Sequence, residues 1–340
     1  PCLCLARLKL TLIKLIIIKF VRKNFFTRKK MSKILHKSIF LLAIGLVCGF
    51  AKPLVSVSIP PQKYFVEKIA ANTLDINVII PASTDEHNFD FKPTTMKKLE
   101  KSDIYFTIGL EFERVFADKF QSNFANLQVI DTGKDLRNLA TSHTHSKDEH
   151  DEHHNHAGHD EHAHGKDEYH AHKHSNSHET HSENDPHIWL DPILVKIQAS
   201  TIAKALIAKY PQNKALYEAN LTQFQAELDA LNAEISALFE KSKNKKFIIY
   251  HPSLAYFAAR YHLVQIPVEI EGKEPKTKDL QRLVSVAKKE NIKTIFVQKG
   301  FSQNAAKSLA KELKASVVEL NHLSDDYSKN LLEIAKKIAQ

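Results

Sequence analysis

KALYEANLTQFQAELDALNAEISALFEK, Lys214 to Lys241, carries Leu216, Leu221, Phe224, Leu228, Leu231, Ile235 and Leu238 at three- to five-residue spacing, close to the helical period. Pro211 precedes the stretch and no breaker follows within it, which favours one continuous rod over a helical hairpin. A helix of that length spans roughly 40 Å at about 1.5 Å per residue, enough to run along one lobe and reach the next. On its N-terminal side, short β-branched runs at Leu54–Ile59, Ile76–Ile80, Ile104–Ile108 and Leu127–Ile130 read as strands. Helical patterns at Phe65–Thr73, Thr94–Lys101 and Glu113–Phe120 separate them. On its C-terminal side the alternation repeats. Phe247–Tyr250, Val264–Ile270, Thr294–Val297 and Val317–Leu320 read as strands, and Leu254–Tyr261, Asp279–Glu290, Asn304–Leu313 and Leu331–Ile338 as helices. Alternating strands and helices imply parallel sheets, so the expectation is α/β, with two lobes of similar build and the long helix connecting them.

The expected division is an upstream extension with a signal peptide at 1–51, a first lobe at 52–210, the linking helix at 211–245 and a second lobe at 246–340. With 340 residues, 43% hydrophobic and 26% charged, the chain has core material for two domains and is not a disordered or collagen-like polymer. The net charge of +9 suggests a nucleic-acid partner, but its location argues otherwise. Residues 1–51 hold eleven Lys/Arg and no acidic residue, leaving −2 for the rest, so no nucleic acid is expected. Lysines at 9, 14 and 19 interrupt the apolar runs of the first thirty residues, which therefore do not read as a membrane span.

Met31 reads as the start of translation, with residues 1–30 as upstream read-through. It opens a secretory signal: Lys33 and Lys37, thirteen uncharged and mostly apolar residues from Ser38 to Phe50, and Gly49-Phe50-Ala51 before a cleavage site. A signal anchor would need a longer apolar run. Cys48 invites a lipid-attachment reading, which Val47 before it disfavours. Cys2, Cys4 and Cys48 all lie in this leader, so Lys52–Gln340 is an exported chain with no disulfide to form. No G-x-G-x-x-G or phosphate-loop motif occurs, which removes dinucleotide and P-loop chemistry from the α/β options.

His143 to His181 contains fourteen of the twenty histidines, and Thr141–Pro186 has eleven acidic residues against three lysines. Almost nothing apolar is present, so the segment is expected to be a mobile loop. Its imidazoles suit Zn²⁺, Cu²⁺ and Ni²⁺, and its carboxylates concentrate cations, which makes it a loose metal collector. Six histidines lie elsewhere. His36 is in the leader, and His262 and His322 have ordinary surroundings where packing or surface roles are the default. His87 follows a strand in PASTDEHNFDFKP, His187 lies in DPHIWLDP, and His251 ends FIIYH. Carboxyl ends of parallel strands are where α/β folds place ligands. His87 and His187 belong to the first lobe and His251 to the second; meeting in the cleft, they form an N₃ site for Zn²⁺ with Glu86 nearest for a fourth position.

These residues carry a family likeness. DEHNFDFKPTTMKKLEKSDIYFTIGLEFE, the histidine-rich loop, DPHIWLDP, FIIYHPSLAYFAARYHL and EIEGKEP resemble the zinc-uptake solute-binding proteins of ABC transporters, the ZnuA type, over roughly Lys52–Gln340. The resemblance implies two Rossmann-like α/β lobes joined by a long rigid α-helix, with metal bound in the interlobe cleft by His87, His187 and His251. Glu86 stands where many relatives have Pro and some zinc binders have Glu. Related manganese binders carry Glu at the position of His251 and Asp where this chain aligns Ser302. An imidazole in place of hard oxygens favours zinc. The fourth ligand is left among Glu86, water, Glu269 and Glu271.

The expected function is periplasmic capture of Zn²⁺ and its delivery to a zinc ABC permease in the inner membrane, by a monomer with no catalytic activity. Because the imidazoles bind when neutral, affinity should fall below about pH 6.5. The rod between the lobes should limit domain closure, so that release needs local movement in the cleft. Two rivals come from other classes. A secreted zinc hydrolase could use Glu86 and an open zinc position, but H-E-x-x-H and a separate acid/base are missing. An adhesion-type surface protein would need an added binding module, and none is seen.

Overall fold

The structure, a computed structural model, describes residues 52–89, 91–134, 136, 185–270 and 273–340. Residues 1–51, where a signal peptide is expected, with Cys48, and nearly all of the histidine-rich segment lie outside the described residues.

Pro53–Gln340 is one unit built on two four-stranded sheets. β1 (Leu54–Val57), β2 (Asp75–Val78), β3 (Ile104–Thr107) and β4 (Gln128–Asp131) pair in the order β2-β1-β3-β4. β5 (Lys246–Ile249), β6 (Val264–Pro267), β7 (Thr294–Gln298) and β8 (Ser316–Leu320) repeat it as β6-β5-β7-β8. All six pairings are parallel. The central strands are apolar runs covered on both faces, as parallel sheets require. In each sheet the strand order reverses beside the first strand, opening a crevice at the carboxyl ends.

The helices begin where local chemistry satisfies their free N–H groups. α1 (Pro60–Ala70) and α2 (Pro93–Glu100) start with proline, which has no amide hydrogen to leave unpaired. In α3 (Glu111–Asn123), Glu113 turns back to accept from the amides of Ile108, Gly109 and Leu110, at 3.0, 2.5 and 2.8 Å. α4 (Pro192–Lys209) is capped by Asp191, which accepts from Ile193 and Leu194. The sequence reading leaves this helix unassigned. Its buried Leu194, Val195, Ala199, Ile202 and Leu206 are accompanied by Ile197, 43% exposed, so the apolar residues do not form a single stripe.

α5 (Lys214–Lys241) is the rod. Its buried face is Tyr217, Phe224, Leu228, Leu231, Ile235 and Phe239, whereas Leu216 is 42% exposed. The aromatics, more than the leucines at either end, define the inward side. α6 (Ala255–Arg260), α7 (Thr277–Lys289), α8 (Asn304–Leu313) and α9 (Tyr327–Ala339) complete the second sheet's connections. α5 packs on α1 and α4 from the first set and on α9 from the second. Tyr64, Phe65, Phe224 and Tyr327 meet there, with the Phe65 and Tyr327 rings 4.9 Å apart edge-to-face. One hydrophobic core therefore runs through α5 from the first sheet to the inner face of the second, and a separate cluster fills the second sheet's outer face.

Candidate metal centre

Four side chains converge between the carboxyl ends of the two sheets. Glu86 and His87 come from the loop between β2 and α2. Asp85 shapes that loop, accepting from the His87 amide at 2.9 Å and the Asn88 side chain at 2.7 Å. His187 lies in the 3₁₀ approach to α4. His251 follows β5, its backbone gripped by the Gln298 amide: Nε2 donates to the His251 carbonyl at 2.5 Å, and the His251 N–H donates to Oε1 at 3.3 Å.

Partners behind the rings aim the free ring nitrogens. His187 Nδ1 is 2.6 Å from Asp185 Oδ1, and His251 Nδ1 is 3.2 Å from Glu269 Oε2, which leaves Nε2 of both rings facing the centre. His87 Nε2 lies 3.0 Å from His251 Nε2, and the ligand atoms of His87, His187 and His251 all fall within 4.8 Å of one another. Two nitrogens bound to one tetrahedral Zn²⁺ at about 2.0–2.1 Å stand about 3.3 Å apart, so this set fits a single ion. Glu86 Oε1 is 3.3 Å from His187 Nε2 and 3.9 Å from His87 Nε2, the spacing of a fourth donor. Trp189 packs at 5.0 Å from the His187 ring and Phe301 stacks at 5.0 Å on His251, walling the centre with apolar surface.

The electrostatics are uneven. Burial, reinforced by His187 and His251, pulls His87 down to about 4. Burial also opposes a charge on His187, but Asp185 and Glu86 outweigh it and raise that imidazole to about 9. Glu86 is buried, which alone would favour its neutral form; the adjacent His322 and His187 hold it well below the usual carboxylate range.

The structure thus brings together His87, His187, His251 and Glu86, the residues singled out in the sequence. Glu269 stands behind His251 and does not face the centre, Glu271 lies outside the described residues, and Ser302 is exposed with its hydroxyl turned to the Asn304 amide at 3.5 Å. Sequence reasoning missed His322. That residue is 2% exposed, and its Nε2 is 2.9 and 2.8 Å from the two Glu86 oxygens. One signal was available: Asn321-His322 follows the strand β8, the same placement that drew attention to His251.

Cross-lobe contacts surround the centre. Trp189 Nε1 donates to the His322 carbonyl at 2.9 Å, the Tyr256 hydroxyl to the Asp185 carbonyl at 3.0 Å, and Arg260 pairs with Asp191 through Nε and a terminal nitrogen, each 2.9 Å from Oδ2.

Two parallel-sheet lobes, a rigid helix between them and a histidine-lined cleft define a metal-type solute-binding protein. The chain belongs to the ZnuA family, described as "Zinc-uptake complex component A periplasmic", whose model matches residues 55–340. A crystal structure of ZnuA superposes with a TM-score of 0.70 at 36% identity, covering 85% of this chain and 98% of that one. A ZnuA internal-deletion mutant with zinc bound gives 0.69 at 36% identity, covering 85% and 97%. The high-affinity zinc uptake system protein ZnuA of Bacillus subtilis (strain 168) is 26% identical over 269 residues, 77% of this chain and 76% of that protein. Among the described residues no helix is long and apolar enough to cross a membrane.

Proposed function

We propose that His87, His187 and His251 bind the transported Zn²⁺ through Nε2, with the Glu86 carboxylate as fourth ligand. The convergence of three imidazole Nε2 atoms, two of them aimed by carboxylates, carries this reading. The chain is a zinc-binding component of a zinc uptake system and not an enzyme. Zinc is therefore cargo, and a water-activating role for Glu86 is not needed. Proteins of this type work with an ABC permease. Here we assign delivery to a zinc permease of the inner membrane by a monomer, with export directed by the signal at 31–51 and cleavage after Ala51.

The proposed division is a first lobe at 52–210 carrying the insert 141–186, the linking helix at 211–245 and a second lobe at 246–340; the two sheets and α5 support it. The insert serves as a loose collector feeding the cleft. The adhesion alternative has no feature of the described residues behind it.

X-ray absorption at the zinc edge, on protein loaded with one equivalent, tests the ligand set. Three imidazoles and one oxygen at about 2.0–2.2 Å are expected. A first shell with fewer than three imidazoles contradicts the assignment.

A further inference from the structure

We infer that His322 is a positioning residue for zinc: it grips the Glu86 carboxylate from the second lobe and presents one oxygen to the site. The inference rests on the zinc-site reading above and extends it to a residue outside the ligand set.

Glu86 is 2% exposed, and a carboxylate so placed needs hydrogen-bond donors. His322 supplies one from two residues beyond β8, its Nε2 lying 2.9 and 2.8 Å from the two oxygens so that a single N–H is shared between them. Its own orientation is fixed. Trp189 Nε1 holds its carbonyl at 2.9 Å, and the Phe301 ring lies 5.8 Å away edge-to-face. Its Nδ1 is buried and has no hydrogen-bond partner among the described residues, so no acceptor draws a proton there. The tautomer this network favours is the one with its proton on Nε2, donating to Glu86.

Held this way, Glu86 keeps Oε1 at 3.3 Å from His187 Nε2, about the edge of a zinc tetrahedron. Without His322 the carboxylate would be free to rotate, to offer both oxygens to the metal, or to leave it. His322 thus acts on zinc through Glu86, and through Glu86 ties the loop of the first lobe to the second.

The test compares the full chain with His322→Leu, His322→Gln, Glu86→Gln and the Glu86→Gln/His322→Leu double variant. Tight zinc binding is read against a chelator strong enough to strip loosely held ions, and the visible bands of the Co²⁺ forms report coordination. Gln keeps an N–H near the place of Nε2, whereas Leu does not. His322→Leu should lose about 10–100-fold in zinc affinity and change the Co²⁺ band intensity, as removal of a ligand's supporting partner does. His322→Gln should recover most of both. In the Glu86→Gln background, the further loss on removing His322 should be under about threefold, because the two act as one unit. A His322→Leu variant with native affinity and spectrum overturns the inference, as does a full loss that persists without Glu86. His251→Ala separates the layers: if it keeps tight binding, the zinc-site reading itself fails; if it loses binding while the His322 series departs from the pattern above, only the positioning role fails.

Discussion

With zinc bound as proposed, His187 carries the proton that the metal has to displace. Asp185 and Glu86 raise its imidazole to about 9, while burial and neighbouring rings bring His87 to about 4. Between about pH 4 and 9 the metal-free protein therefore holds His187 as imidazolium and His87 neutral. Binding displaces the proton on His187, so this group alone should make affinity rise with pH, by about tenfold per unit, up to about 9. The sequence suggested a decline only below about 6.5, the value of an unperturbed imidazole; the carboxylates beside His187 move that threshold upward. Chelator-competition titrations at pH 6, 7 and 8 check this, and a flat profile contradicts it. The sign for folding is opposite. A group raised from 6.5 to about 9 contributes stability to the metal-free protein that is complete below 6.5 and is lost as pH rises through 9. Asp185→Asn removes the charge behind His187. It should weaken zinc binding by about 10–100-fold and flatten the pH profile, both measurable in the same titrations.

At the scale of elements, the loop carrying Glu86 and His87 is pressed against the loop after β7. A Cβ on Gly300, whose φ is +98°, would stand 2.9 Å from the Ser83 carbonyl oxygen and 3.1 Å from the Thr84 carbonyl carbon. Gly300→Ala should cost about 1–3 kcal/mol in thermal or denaturant unfolding and weaken zinc binding by prying that loop off the second lobe. Unchanged melting and affinity would mean that the two loops part freely. Much of this framework is legible in the sequence. The eight strands are β-branched runs, and α5 and α8 have the boundaries that their periodicity indicates. The reading overruns strand ends at Ile59 and Ile80, which are fully buried beyond the last register pair, Val57 and Val78, so hydropathy does not see the end. It also overruns at Ile270. β6 ends in register at Pro267, the amides of Val268 and Glu269 still donate to the Ile249 and Tyr250 carbonyls as the chain leaves the sheet, and Ile270 joins only an isolated bridge to Lys273. It starts α1 late at Phe65, because Pro60, Pro61 and Gln62 form a first turn without an apolar stripe. His322 was opaque for a different reason. Its partner lies 236 residues away, and only the tertiary fold brings a lone histidine to a buried carboxylate.

Across the whole molecule, α5 and the aromatic seam of Tyr64, Phe65, Phe224 and Tyr327 join the lobes through one shared core. Such a core resists wide opening, so zinc exchange should proceed by local movement of the cleft loops rather than by a swing of one lobe. X-ray scattering should give the same radius of gyration, within about 1 Å, with and without zinc; a larger expansion on zinc removal would show a hinge. Phe224→Ala at the centre of the seam should destabilise the fold by about 3–5 kcal/mol in denaturant unfolding. The proposed zinc centre is one that neither lobe completes alone, with His251 supplied by the second. The decisive measurement is a competitive zinc titration of the full chain, the chain lacking Thr141–Asn184, and the full chain carrying His251→Ala. One tight site should survive the deletion, and His251→Ala should weaken it by about 2 kcal/mol or more, a factor of about thirty. Tight binding that vanishes with the histidine-rich segment, or that is indifferent to His251→Ala, would place the zinc outside the cleft.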